Sequence, residues 1–319
     1  MKQFRSLIVV VAGKDGGQLA VDQAATLAAQ NSGTVTLVDA ITPLSDFLEI
    51  AGSNAAECHD EASKLKTEHM ERLAKPLRDR GTRVDCLLLQ GDLAERTVER
   101  VIVHGHDLLL KTAEHPHGIT QHMFGTVGQR LMRKCPCPVW IIKAAPEPKL
   151  KKILVAISPF PLEQQRHPMN VMMMKLATSL TCMNDCELNV VSVWPDLALA
   201  TKNEQSETKL LQDEALEEIV GPYRCQVDDL QTHLLEGDPA DAITGLTLKL
   251  DVDLLVLGTV CRSNFVFFTM GNTAEQVLQR VQCSVLAVKP DWFLASVAKA
   301  AQERSRLFDG LLSKSPGLI

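Results

Sequence analysis

Aromatic side chains are scarce: they make up 4% of the 319 residues, and Tyr223 is the sole tyrosine. A stacking platform for single-stranded nucleic acid has little to build with here. An excess of positive charge is also missing, since 33 Lys and Arg face 39 Asp and Glu for a formal net charge of −6. Phosphate backbones are held through Lys and Arg, so no nucleic-acid partner is expected. Long apolar runs are missing too: the one that follows Met1–Ser6 ends at Ala12, too short to span a bilayer and without a signal cleavage region. No membrane association is expected. The nine cysteines, an odd number with no secretion signal, are not a disulfide framework and read as reduced thiols in the cytoplasm.

What is there is an ordinary globular balance, 45% apolar and 23% charged, which excludes disordered, collagen-like and coiled-coil classes. The length fits about two domains of roughly 150 residues, and the chain repeats itself. Leu7-Ile8-Val9-Val10 is answered by Ile153-Leu154-Val155-Ala156, Gly91-Asp92 by Gly237-Asp238, Asp107-Leu108-Leu109 by Asp253-Leu254-Leu255, and Cys137 with Lys143 by Cys283 with Lys289. Every pair is 146 positions apart, a register that chance does not hold over four separated segments. Ala144 to Pro148, with two prolines, reads as the linker. The expected division is a domain over 1–145, a second over 149–291 and an amphipathic tail over 292–319, which either docks on a domain face or mediates dimerisation.

Within each half, β-branched runs such as 34–40, 84–89 and 139–143 alternate with stretches of helical spacing such as Ala20, Ala24, Leu27 and Ala28. Alternation of this kind predicts an α/β fold with a parallel sheet covered on both faces, five strands to a half. Gly91-Asp92 and Gly237-Asp238 fall where a strand turns into a helix, glycine for the turn and aspartate for the cap. Ligands of such sheets bind beyond the carboxyl ends of the strands, where strand order reverses. The segment that lands there runs from Leu257-Gly258-Thr259-Val260-Cys261-Arg262 to Met270-Gly271-Asn272-Thr273. It predicts a strand, a loop and a helix start, an arrangement in which Gly258 and Gly271 let the backbone approach an oxyanion. Asn272 and Thr273 would then donate to phosphate, with Thr259, Arg262 and Asn264 in support. A plain strand-loop-helix with a good cap fits the same pattern.

At these residues the chain resembles the universal stress protein family, whose nucleotide-binding members carry Gly-x2-Gly-x9-Gly-Ser/Thr. Here the second half reads Gly258-x2-Cys261-x9-Gly271-Asn272 with Thr273 next, so the spacing matches while one glycine and the hydroxyl position differ. The resemblance implies two tandem Rossmann-like domains, each a five-stranded parallel sheet with helices on both faces. It also implies a bound nucleotide, ATP with magnesium, in the second domain. Main-chain groups near Val193, and near Ala40 in the first half, would meet the adenine edge. The family's aspartate at the end of the first strand is replaced by Ala12 and Ser158, and in the first half the loop glycines become Thr112 and His115. That half keeps Gly125 and Thr126 as a remnant. The family pairs through its last strands, so residues Val139–Lys143 and Val285–Lys289 are the expected internal contact, with a further homodimer and protein partners as open possibilities. Three functions fit: a non-enzymatic nucleotide-binding stress protein, a nucleotide-free interaction scaffold, and a weak ATPase, for which no catalytic constellation is evident.

Other features carry two readings each. His104, His106, His115, His117 and His122 form either a metal site or solvated loop histidines. Cys135-Pro136-Cys137-Pro138 has one residue between its thiols, unlike a Cys-x-x-Cys motif, and reads as the entry to the last strand. Cys182 and Cys186 read as a helix end passing to a strand, or as a zinc or redox pair. Cys261 is a redox candidate beside Arg262 or a buried thiol. Met169, Met172, Met173 and Met174 read as core filler or an adaptable surface.

Overall fold

The computed structural model describes residues 4–12, 17–46, 54–114, 124–144, 149–159, 166–194, 202–261, 269–290 and 293. In the first half, β1 (Ser6–Val10), β2 (Thr34–Ile41), β3 (Arg83–Gln90), β4 (Leu108–Thr112) and β5 (Val139–Ile142) alternate with helices. These are α1 (Gln18–Asn31), α2 (Ala55–Asp79), α3 (Leu93–His104) and α4 (Gly125–Lys134). The second half repeats the plan with β6 (Lys152–Ala156), α5 (Arg166–Asn184), β7 (Glu187–Trp194), α6 (Lys202–Val220) and β8 (Leu230–Glu236). It continues with α7 (Pro239–Leu250), β9 (Leu254–Gly258), the two-residue strands β10 (Val260–Cys261) and β11 (Thr269–Met270), α8 (Asn272–Arg280) and β12 (Ser284–Val288).

Ten strands form one sheet in the order β3-β2-β1-β4-β5-β12-β9-β6-β7-β8. Within this sheet pairing is parallel inside each half and antiparallel where β5 meets β12. The two expected last strands therefore do make the internal contact. There Trp140 faces Leu286, its own counterpart in the repeat, so a pseudo-twofold axis passes through that pair.

The strand period of two sorts side chains onto two faces. Leu7 and Val9 join one core with residues of α1, α2, α5 and α6, whereas Ile8 and Val10 join the other with residues of α3, α4, α7 and α8. The four methionines at 169 and 172–174 follow suit: Met173 and Met174 are buried, and Met169 and Met172 pack against the same core. The predicted turns into α3 and α7 form as read. Gly91 and Gly237 take φ of 110° and 119°. Asp92 accepts from the Glu95 N–H at 2.9 Å, and Asp238 from Ala240 and Asp241 at 2.9 and 3.0 Å.

One expectation needs correction. The histidine-rich segment is not wholly a solvated loop: His106 is buried beneath the first strand, with Nδ1 3.0 Å from Ser6 Oγ. His104 closes α3, and residues 115, 117 and 122 lie outside the described residues. The tail beyond Phe293 and the linker residues 145–148 lie outside them as well. Among the described residues no helix is long and apolar enough to cross a membrane.

Candidate functional site

In each half the strand order reverses beside the first strand, between β1 and β4 and between β6 and β9. In open α/β sheets such a reversal places the ligand crevice beyond the carboxyl ends of these strands. The two crevices are built alike and filled differently.

In the second half, β9 ends at Gly258, and α8 begins after Gly271. The intervening segment is pinned at its base: Val260 pairs with Met270, Cys261 with Thr269, and the Gly271 N–H reaches Thr259 O at 3.4 Å. This small antiparallel ladder, which the sequence pattern did not reveal, brings the strand end and the helix start together. Gly271 caps α8 without any side-chain hydrogen bond, and Asn272 and Thr273 are exposed at the helix's positive end. Glu275, in the same turn, is drawn away to Arg133 at 2.6 Å. On the far side of the crevice lies Val193. Val191 O accepts from Ile157 N, and alternation along β7 turns the main-chain groups of Val193 to the same side, past the end of β6.

Two of the sequence-predicted residues are placed otherwise than a phosphate cradle requires. Thr259 is buried, and its hydroxyl donates to Val288 O at 3.5 Å, so it ties the strand end to β12. Gly258 has no room for a side chain of its own while Met169 keeps its place: an added Cβ would come within 2.7 Å of Met169 Cε and 3.0 Å of its Sδ. The thioether of Met169, on the first turn of α5, thus covers the strand end. Asn170, which sequence reasoning missed, is buried next to it and donates to Ser158 O at 3.0 Å. Arg262 and Asn264 lie outside the described residues, as does the side chain of Cys261.

The first half closes the equivalent positions with its own chain. Thr112 stands where Gly258 does, and its Oγ1 accepts from Ala20 N at 3.3 Å in the first turn of α1. The Ala40 N–H, which would meet a ligand edge, is bonded to the Asp39 carboxylate at 2.7 Å, and Lys66 holds that carboxylate at 2.7 Å. Gly125 opens α4, but the Glu114 carboxylate lies against it where a Cβ would project. Glu114 is itself held 2.8 Å from Nζ of the buried Lys111. Thr126 is exposed beyond it. Carboxylates of the chain therefore sit at both places the resemblance assigns to ligand. By the pairing of β2 with β1 and of β7 with β6, Ser192 stands where the first half has Asp39, and by the 146-residue repeat Leu257 and Val260 stand where it has Lys111 and Glu114.

A polar hollow of about 550 Å³ among Lys149, Lys151, Asp185, Glu187 and Asp229 lies at the opposite ends of the second half's strands and shares no residue with the crevice. Among the described residues no group of three or more His, Cys, Asp or Glu side chains could hold a metal ion.

Comparison with known proteins agrees with this architecture. The model of the universal stress protein family matches residues 3–143 and again 149–289. Universal stress protein E of Photorhabdus laumondii is 26% identical over 317 residues, covering 95% of this chain and 100% of the relative. Universal stress protein E of Escherichia coli is 31% identical over 216 residues, 64% of this chain and 67% of the relative. A crystal structure of a universal stress protein from Pseudomonas aeruginosa superposes with a TM-score of 0.73 at 24% identity, over 93% of this chain and 98% of that one.

Proposed function

Since the chain belongs to the universal stress protein family, we propose that it is a cytoplasmic stress-response protein that binds one nucleotide, ATP with magnesium, in its second-half crevice and catalyses no reaction. The observation that carries this reading is the asymmetry between the halves. Asp39 and Glu114 occupy the positions that the resemblance assigns to ligand in the first half, whereas the second presents an uncapped helix start at Gly271 and main-chain groups at Val193. Amides at a helix N-terminus supply hydrogen bonds and a positive field to phosphate. Asn272 and Thr273 add exposed polar side chains at that end. The described residues have no metal-binding cluster of their own, so in this reading magnesium arrives with the phosphates it neutralises.

Titration calorimetry of the full chain with ATP and magnesium tests the reading. One site per chain is expected. The double variant Gly271→Val, Thr273→Val is expected to abolish binding while its circular dichroism stays native. Unchanged affinity in that variant overturns the site. Absence of binding in the parent protein, together with no nucleotide released on denaturation, overturns the nucleotide itself. It would favour a nucleotide-free interaction scaffold, a reading supported by Met169 over Gly258 and by Ser158 in place of a carboxylate.

A further inference from the structure

The seam between the halves holds a second constellation, unconnected with the crevices. β5 and β12 are each followed by a lysine, and the repeat relates Lys143 to Lys289. Lys143 reaches across the seam to the turn that precedes the other half's last strand, and the pseudo-twofold axis relates Lys289 to the equivalent turn of the first half, with whose thiols it interacts electrostatically. Lys143 is satisfied there: its Nζ donates to Val281 O at 2.6 Å and stands 4.6 Å from the centre of the Phe124 ring. Lys289 is not. It is 2% exposed, its Nζ has no hydrogen-bond acceptor among the described residues, and its ring contact with Phe293 is longer, at 5.5 Å. Within electrostatic reach of it in the first half are Cys135 and Cys137, both buried, with their sulfurs 3.5 Å apart. The second half has Val281 and Cys283 at these positions, so the thiol pair exists on one side of the pseudo-twofold axis only.

Three titratable groups meet in this pocket. Burial pushes the Cys135 thiol up, but the hydrogen bond from Cys137 and the Lys289 ammonium outweigh it, and its pKa falls below the ordinary thiol value. Cys137 moves the other way, raised by burial and by its neighbour, with the more distant Asp107 adding to the rise. Burial brings Lys289 down to about 8 against the pull of the two thiols. An ammonium without an acceptor beside two thiols is completed by a thiolate, the form that reacts with peroxide.

We propose that Cys135 and Cys137 form a redox site in which Cys135 is the attacking thiolate, Cys137 resolves, and Lys289 from the other half stabilises the negative charge. Hydrogen peroxide is the oxidant, small and neutral enough to reach buried sulfur during local opening. The Cys135 sulfur attacks one peroxide oxygen, the O–O bond breaks, and Cys135 becomes a sulfenic acid as hydroxide departs. The Cys137 sulfur then displaces the sulfenic oxygen, forming the Cys135–Cys137 bond, and its proton leaves in the water released. Each sulfur loses one electron and the peroxide oxygens gain two. One water and one hydroxide result. The sulfurs must close from 3.5 Å to the bonded distance of about 2 Å.

The chain supplies its own reporter. Trypsin cuts after Lys134 and Lys143, so both cysteines lie in one peptide of residues 135–143. The full-length protein is reduced, exposed to hydrogen peroxide, denatured and alkylated, and that peptide is followed by mass spectrometry. It is expected to become two hydrogens lighter and resistant to alkylation. In Cys137→Ser, Cys135 is expected to remain as a dimedone-reactive sulfenic acid. Lys289→Met should slow the reaction about tenfold, the change in thiolate fraction for one pKa unit, and Lys289→Arg should restore it. Full alkylation of residues 135–143, under peroxide that oxidises the exposed Cys58, overturns the site. An unchanged rate in a natively folded Lys289→Met overturns the role of the lysine.

Discussion

At the scale of single residues, the two halves secure their first strands with the same aspartate. Asp107 Oδ2 accepts from Arg5 N and Ser6 N at 2.7 and 3.1 Å, and Asp253 Oδ2 from Lys151 N and Lys152 N at 2.7 and 2.8 Å. Asp253, just before β9, is thus a structural residue. Its neighbour in the first half, His106, is a feature that pattern reading placed wrongly. Burial first, then Arg100 and His104, lowers its pKa from 6.5 to about 4, against the Ser6 hydrogen bond. The folded state therefore holds a neutral imidazole that the unfolded chain protonates near its ordinary value. This contribution to stability is complete above pH 6.5 and is lost as pH falls towards about 4, because the unfolded state then binds the extra proton. The loss from this one group is about 3 kcal/mol. Urea unfolding across that window is expected to give a visibly flatter pH profile for His106→Gln than for the parent chain. Equal slopes would mean that the burial of His106 does not set the acid response.

At the scale of elements, the strands and the turns into α3 and α7 were legible because their signals are local: β-branched alternation, and glycine followed by a capping aspartate. The constant 146-residue register made the duplication legible in the same way. The state of the crevices was not, since it depends on contacts between distant segments. Nothing in Gly258 announces Met169, and nothing in Gly125 announces Glu114. The β10–β11 ladder escaped notice because two-residue strands have no period to read. The pair on β4 shows what such contacts are worth. Lys111 is buried on the strand, donates to Thr112 O at 3.0 Å, and has the half-exposed Glu114 as counter-charge. Removing one partner of a buried pair strands the other charge. Glu114→Ala is expected to cost about 1–3 kcal/mol, discounted for the exposure of the carboxylate. Adding Lys111→Leu, which copies Leu257 of the second half, should recover most of that loss. Denaturant midpoints of the single and double variants measure the coupling, and purely additive losses would show that the pair does no more than pack.

At the scale of the whole molecule, joining the halves edge to edge leaves β3 and β8 as the outer strands of the long sheet among the described residues. Isolated halves would each expose a last strand, the sort of unpaired edge that invites association. Covalent linkage raises the effective concentration of the correct partner and settles that pairing within the chain. The seam is more than a strand ladder. Lys143 donates through N to Ser284 Oγ at 3.1 Å and through Nζ to Val281 O at 2.6 Å, and one core cluster includes both Trp140 and Leu286. A sheet core continuous across the join predicts that the halves unfold together. Leu286→Pro tests this at the pseudo-twofold axis. β12 lies between β5 and β9, so each of its N–H groups faces a neighbouring strand, and proline removes one ladder donor while distorting an interior strand. Hydrogen exchange is expected to show protection falling in β1 and β4 of the first half along with β6 and β9 of the second. Native protection kept in β1 and β4 would make the seam a docking contact between independently stable domains.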